Sequence, residues 1–335
     1  MAVSPSVSGT GRALRLAVTL GDPRGIGPEV AAAAARYAAS LPDGPELVFV
    51  GPEGTVADGA PVGAFHVTGH WDGSGDPALA GALAGRAIET AATMALDGAV
   101  AAVVTAPIDK AALHAGGFAY PGHTEMLAAL AGRRMGSAPP PVAMMMVAEE
   151  TTLGGALRVV LATTHVALRD VPDLLSVDLL VEQARLTAEG LRRGWGIDRP
   201  RVALCAVNPH ASDGGLFGDE EARIVAPARD ALRDAGIDAA GPIPADTVFV
   251  RAIRGEFDAV VAPYHDVGMA AFKTASFGKG VNVTVGLPFV RTSPDHGTAI
   301  DIAGRGIADP GSMIEALELA VRLARNGAAA PTSGV

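Results

Sequence analysis

The chain has 335 residues, enough for two domains or one large α/β unit. Its hydrophobic fraction of 49% and mean hydropathy of +0.31 supply ample core, but only 4% is aromatic, so Ala, Val and Leu must fill it. A formal net charge of −10 argues against a nucleic-acid partner and against binding to an anionic membrane surface.

Cys205 is the only cysteine, so no disulfide can form within the chain, as expected in a reducing cytoplasm. It sits in the strand-like run Val202 to Val207, where a buried, inert thiol is the expected state. The first dozen residues are rich in Ser and Gly and lack the apolar core of a signal peptide. No run reaches the roughly 18 apolar residues of a membrane span. A soluble cytoplasmic protein with a disordered tail at 1–13 is expected.

In chain order, Leu14 to Leu20 predicts a strand that Gly21-Asp22-Pro23 breaks. Gly25-Ile26-Gly27-Pro28-Glu29 then opens a helix, Val30 to Ala39, with Pro28 and Glu29 suited to its first turn. Strand, glycine loop and helix can bind an anion, but the spacing is neither GxGxxG nor a Walker loop, and a tight turn explains it equally well. Leu47 to Val50 predicts a strand, Pro61 to Gly75 a loop in which His66 and His70 have no role, and Ala78 to Leu96 a helix. Ala99 to Val104 predicts a strand running into Thr105-Ala-Pro-Ile-Asp109-Lys110. Gly122-His123-Thr124-Glu125 starts a further helix, with Thr124 as its cap.

Val142 to Val147 and Leu157 to Thr163 predict paired strands around Gly154-Gly155, with Met144 to Met146 as core. Val177 to Arg193 predicts a helix and Gly214 to Gly218 a flexible connector. Pro242 to Asp246 predicts a loop before a helix ending near Arg254. Strands alternating with helices imply a parallel sheet, whose ligands lie beyond the carboxyl ends of the strands. The polar clusters of this chain fall at such ends.

The longest cluster, Asp258 to Pro310, follows the strand Ala259 to Ala262 with Tyr264, His265, Asp266 and Lys273. The alternation Val281 to Val285, then Arg291, and a Gly-rich tail with Asp295 and His296 complete it. Loops of this length are usually functional. His165, His210 and His265 each follow a predicted strand, where side chains of separate strands converge. Neutral imidazoles suit a divalent ion, and three protein ligands with open positions is a catalytic pattern. With no HxxxH or HExxH spacing, three separately satisfied histidines are the competing expectation. Lys273 and Arg291, flanking Asn282, suit a phosphate or carboxylate, against the commoner fate of solvated surface charge.

GDPRGIGPE, TAPIDK, GHTE, TTHVALRDVP, NPHA, PADTVF, YHD and GVNVTVGLPFVRTSPDHGTAIDIAGRG together resemble the 4-hydroxythreonine-4-phosphate dehydrogenase family of pyridoxal phosphate biosynthesis. The ordered motifs run from about Leu16 to Leu323. The resemblance implies an α/β fold like that of isocitrate and isopropylmalate dehydrogenases, with two α/β/α domains and a cleft between them. Residues 14–135 plus 275–330 would form one domain and 136–274 the other. It also implies a homodimer with the active site at the subunit interface and metal histidines drawn from both subunits.

Carried over by motif, His165, His210 and His265 would bind one divalent ion (Zn, Mg or Co). His123, Thr124, Lys273, Asn282 and Arg291 would bind substrate, the last three at its phosphate. The tail resembles the NAD-binding loop of isopropylmalate dehydrogenases, making His296, Gly297, Thr298 and Asp301 the residues for NAD or NADP. Asp246 or a metal-bound water would be the base, with Lys273 as an alternative aid to proton transfer. Oxidation of the secondary hydroxyl of 4-hydroxythreonine 4-phosphate and loss of carbon dioxide would give 3-amino-2-oxopropyl phosphate.

Where the family pattern reads NPHAGE and MYHDQG, this chain has Ser212, Asp213, Pro263 and Val267. NPHAS resembles the dihydrodiol dehydrogenase branch, and 4-phosphothreonate dehydrogenases share the scaffold. A cis-dihydrodiol carboxylate or 4-phosphothreonate is therefore the alternative substrate. A non-catalytic metal and ligand sensor, and phosphate acyl transfer, are the readings from other classes. Neither accounts for the whole motif set.

Overall fold

The computed structural model describes residues 14–56, 60–276 and 278–329; the tail expected at 1–13 lies outside them. The first part of the chain folds as β1 (Arg15–Thr19), α1 (Gly27–Ser40), β2 (Glu46–Glu53), β3 (Ala64–His70), α2 (Pro77–Leu96), β4 (Ala102–Thr105), α3 (Lys110–Ala115) and α4 (His123–Met135). Next come β5 (Ala143–Ala148), β6 (Leu157–Leu161), α5 (Val171–Leu174), α6 (Val177–Trp195), β7 (Arg201–Cys205), α7 (Ala226–Asp234), β8 (Asp238–Ile243), α8 (Ala245–Ile253) and β9 (Ala259–Ala262). The chain closes with α9 (His265–Ser276), β10 (Val281–Val285), β11 (Val290–Pro294) and α10 (Gly311–Ala329).

All these strands join one 11-stranded sheet in the order β3-β2-β1-β4-β11-β10-β5-β6-β9-β7-β8. The sheet is mixed, not purely parallel as expected. The pairings β11–β10, β10–β5 and β5–β6 are antiparallel, and they turn the parallel wing β6-β9-β7-β8 against the parallel wing β3-β2-β1-β4-β11. The domain boundaries expected from the sequence fall between β10 and β5. These two strands are hydrogen-bonded from Val281↔Val147 to Val285↔Ala143, so the ladder is continuous there.

Three strands were not foreseen. β3, within the expected loop 61–75, and β8 are the two edges of the sheet. Half-exposed edges carry weak apolar patterns, and an edge tolerates the Gly241-Pro242 of β8. β11, VRTSP, is polar because it faces the cavity described below. The stretch Asp258 to Pro310 is not one continuous loop: β9, α9, β10 and β11 lie within it.

Residues alternate between the two sheet faces, and the helices divide accordingly. On one face α1, α6, α7 and α10 bury Leu16, Val18, Met145, Val160, Val281 and Val283 in a single core. On the other, α2, α3 and α4 cover the first wing, while α8 and α9 cover the second around Val159, Phe272 and Leu161. Between those two covers the middle strands β11 and β10, and the Met144 end of β5, are left open on one face. That uncovered seam is the floor of the site.

Phe272 is fully buried and fastens α9, with His265 at its head, to the second wing. Phe272→Ala is expected to cost about 3–5 kcal/mol in urea unfolding. A loss below about 1 kcal/mol would show that α9 is held some other way.

Candidate active site

The uncovered seam opens into two adjoining cavities of about 320 Å³ each. Register builds the floor. Asn282 pairs with Met146 across β10 and β5 and with Ser293 across β10 and β11, and Arg291 pairs with Val103 of β4, so Asn282, Met146, Ser293 and Arg291 share one face. Met144 and Met146 line the cavity; Met145 and Met146 are buried core residues as expected, and Met144 is half-buried against the same core. Thr105 to Lys110 and Gly122-His123 form one wall; His165 and His265 form the other.

Arg291 is 3% exposed and carries its charge among neutral groups. Its Nε and Nη2 donate to the Thr105 hydroxyl at 3.2 and 2.7 Å, and Nη1 to the Thr284 hydroxyl at 3.1 Å. Among the described residues no carboxylate lies within ion-pair distance of it. Burial lowers its pKa to about 10, against a small opposing effect of Glu125, so it stays charged at neutral pH. Close by, Asn282 Oδ1, His123 Nε2 and His296 Nε2 are shut off from solvent without a partner. Each unsatisfied group costs roughly 1–3 kcal/mol, the mark of a cavity shaped for a polar ligand. A buried cation with orphaned acceptors and donors suits an anion with further polar groups.

The amino end of α4 opens at Gly122 onto the same space, adding backbone N–H groups that favour an anion. Thr124 lines the cavity from inside the first turn of α4; the cap position belongs to Gly122, with no side-chain bond, so the expected capping role is not seen. Burial, then the charges of Arg291 and Lys110, hold the His123 pKa well below its usual value, leaving a neutral imidazole.

β6 and β9 are parallel neighbours, so the residues that follow them meet. The His165 and His265 rings lie 5.5 Å apart between centroids. Burial first, then Lys110 and His265, lower the His165 pKa and keep it neutral, as a metal ligand must be. His265 Nδ1 meets Asp266 Oδ1 at 2.9 Å, the outer contact that orients a ligating imidazole, and leaves Nε2 for a cation. Two imidazoles so arranged fit part of a divalent-ion site.

His210 stands apart. It is exposed, in the turn Pro209–Gly215 after β7, and lines neither cavity. Among the described residues no group of three potential ligands forms. Asp246, exposed at the start of α8, lies on an element packed against that same turn and is also outside the cavities. The expected constellation is thus divided within one chain.

Lys273 does not line the cavities either. Its ammonium donates to Asp295 Oδ2 at 2.7 Å and to the Asp295 carbonyl at 3.0 Å, tethering the segment that carries His296. His296 and Gly297 do line the cavity. The Thr298 carbonyl accepts from the Ile26 N–H at 2.9 Å, and a Cβ on Gly25 would sit 2.6 Å from that oxygen, so the first glycine loop exists to pack on this tail. Asp301 is exposed in the turn Ile300–Ile302.

Beside the tail, Arg24, Gly25, Glu29, Arg36 and Gly304 line a further cavity of about 410 Å³. Glu29 Oε2 accepts from the Gly306 N–H, whereas Oε1 is buried and without a partner, an acceptor suited to a cofactor hydroxyl. Lys110, Thr105 and Glu29 were not assigned to the site from the sequence, although TAPIDK at a strand end and GIGPE were visible signals. Val267 packs into the α8–α9 core rather than the cavity. Cys205 is buried, with its thiol pKa pushed up to about 12, and is inert.

A histidine held neutral in the fold but protonated when unfolded removes stability as pH falls below its unfolded value, about 6.5. The urea midpoint of the metal-free protein is expected to decline below that pH, and His123→Asn to flatten the decline. Superimposable pH profiles for the two proteins would contradict a neutral buried His123.

Residues 63–320 match the family model described as pyridoxal phosphate biosynthetic protein PdxA. A 4-hydroxythreonine-4-phosphate dehydrogenase of Methylorubrum populi is 45% identical, over 93% of this chain and 95% of that protein. The crystal structure of 4-hydroxythreonine-4-phosphate dehydrogenase from Klebsiella pneumoniae superposes with a TM-score of 0.80 at 40% identity, over 93% of this chain and all of that one. A terephthalate 1,2-cis-dihydrodiol dehydrogenase from Burkholderia xenovorans is more distant, with a TM-score of 0.62 at 29% identity over 94% and 99% of the two chains. An isocitrate dehydrogenase from Methylococcus capsulatus, at 16% identity and a TM-score of 0.50 over 94% and 87%, shares the fold alone. The chain is a member of the PdxA family, and its fold is of the isocitrate dehydrogenase-like class.

Proposed function

We propose that the protein is a metal-dependent NAD-linked dehydrogenase that oxidises the secondary hydroxyl of 4-hydroxythreonine 4-phosphate and releases carbon dioxide. The observation that supports this most is Arg291, a buried cation without a carboxylate, beside the unpartnered Asn282 and His123 and the amino end of α4. These groups would bind the phosphate, with Lys110 and Thr124 at the rim. The first task of the chain is thus to fix one end of a small, highly charged substrate.

His165 and His265 would face the reacting end, and neutral imidazoles suit zinc or cobalt better than magnesium. They would hold part of a divalent-ion site, and such an ion would supply the Lewis acidity that lowers the pKa of the substrate hydroxyl. His296, Gly297, Thr298, Asp301 and Glu29 would hold the nicotinamide cofactor, which takes the hydride from the hydroxyl carbon as the hydroxyl proton leaves. The resulting β-keto acid loses carbon dioxide to give 3-amino-2-oxopropyl phosphate.

Exposed Leu216 and Phe217 follow His210 in sequence after β7, and exposed Val166, Leu168 and Leu174 follow β6. We infer that a second copy covers this apolar surface, and that each protomer completes the other's site with His210 and with Asp246 as the base. Two structural units, meeting at the β10–β5 seam, then place the cavity between them. Among the described residues no helix is long and apolar enough to cross a membrane, and with one buried thiol a cytoplasmic setting fits.

The direct test follows NADH formation from 4-hydroxythreonine 4-phosphate, 4-phosphothreonate and terephthalate cis-dihydrodiol with added zinc, cobalt or magnesium. Turnover is expected for the first of these. Exclusive use of the dihydrodiol would overturn the phosphate assignment, and absence of NADH with every substrate would overturn the activity. Arg291→Ala should raise KM for the phosphorylated substrate by roughly 30-fold or more, the scale of a lost buried charge contact, with little change for NAD. Equal effects on both would contradict the assignment.

A further inference from the structure

The turn that carries His210 has a backbone that L-residues resist. His210, Ala211, Ser212 and Asp213 have φ of +53°, +56°, +69° and +44°, and Gly214 continues at +72°. A left-handed conformation costs a non-glycine residue about 1–2 kcal/mol, so a run of four must be held by its surroundings.

One carboxylate does the holding. Glu221 is 4% exposed. Its Oε1 accepts the N–H groups of Val207 at 2.8 Å and Asn208 at 2.7 Å, the last two residues before the turn. Its Oε2 accepts the Asn208 side-chain amide at 3.0 Å and the Ser212 hydroxyl from within the turn. The Asn208 amide also donates to Glu220 at 2.6 Å. Glu221 lines none of the cavities described above and cannot touch substrate there.

We propose that Glu221 is a positioning residue for His210: it ties the entry of the left-handed turn to its middle, on either side of His210, and so fixes where that imidazole points. This rests on the assignment of His210 as a ligand completing a site across two protomers. Ser212 is part of the device. Glycine would adopt its φ without cost but would give Glu221 no hydrogen bond; serine accepts the strain and supplies one. The same clamp explains why an exposed histidine can serve as a ligand, since an imidazole on a loose turn would lose orientational entropy on each binding event.

The test uses the intact oligomer of wild type, His210→Ala, Glu221→Ala, Glu221→Gln and Ser212→Ala, titrated calorimetrically with zinc and spectroscopically with cobalt, with melting curves recorded for each. Outer contacts that orient a ligand are typically worth 10–100-fold in metal affinity. His210→Ala and Glu221→Ala are expected to weaken zinc binding on that scale. Glu221→Gln keeps an acceptor for the two backbone N–H groups and should recover most of the affinity. Ser212→Ala should lose several-fold with an unchanged melting temperature and a shifted cobalt spectrum; it remains informative if Glu221→Ala does not fold.

Unchanged zinc affinity in His210→Ala would sink the ligand assignment itself. Weakened binding in His210→Ala together with wild-type binding in Glu221→Ala and Ser212→Ala would overturn the positioning role alone. So would equal losses in Glu221→Gln and Glu221→Ala, because charge rather than hydrogen-bond geometry would then be responsible.

Discussion

A guanidinium buried without a carboxylate is the constraint around which this molecule is arranged. Moving an unpaired charge out of water is expensive, and proteins normally neutralise it. Arg291 instead rests on the hydroxyls of Thr105 and Thr284 and keeps its charge. On the proposed assignment, that arrangement is half of an interaction whose other half would arrive with the ligand. The neighbouring orphaned atoms of Asn282, His123 and His296 follow the same logic. So does the deep depression of the His123 pKa, caused first by burial and then by the neighbouring charges of Arg291 and Lys110.

The sheet makes such a position available. Antiparallel pairing at β11–β10–β5–β6 sets two parallel wings head to tail, each with its own helical cover on one face. The covers stop short of each other, and the strand face between them becomes the cavity floor. Ends of strands from opposite wings then supply chemically different walls: a glycine-led helix start and Lys110 on one side, imidazoles on the other. In the proposed reading, anion recognition and metal chemistry would thereby be kept apart within one small volume. A substrate with phosphate at one end and an amino alcohol at the other matches that polarity.

Much of this was legible in the chain. VNVTV alternates because its valines enter the core while Asn282 and Thr284 lie on the seam face, and the alternation itself is visible in the sequence. His165 and His265 were readable as strand-end residues because β6 and β9 are parallel neighbours. What escaped had physical reasons. β3 and β8 are edges whose half-solvated residues carry no apolar period. β11 is polar for the sake of the site, which made a strand look like a loop. Met144 and Met146 look like core in sequence, and Met146 is core, but both also reach the cavity, since a cavity floor too wants bulky apolar groups. Lys273, assigned to substrate by motif, has its ammonium on Asp295, a pairing that spacing alone does not reveal. The left-handed turn at His210 is invisible because four consecutive non-glycine residues would not be expected to adopt it.

The buried cation can be examined most directly by measuring calorimetrically how tightly the wild-type protein binds 4-hydroxythreonine 4-phosphate and its dephosphorylated counterpart. If Arg291 and its neighbours were shaped for an anion, the phosphorylated compound should bind at least about 100-fold more tightly, a difference of roughly 2.7 kcal/mol. Equal affinities for the two would contradict the claim that the seam is organised around a phosphate.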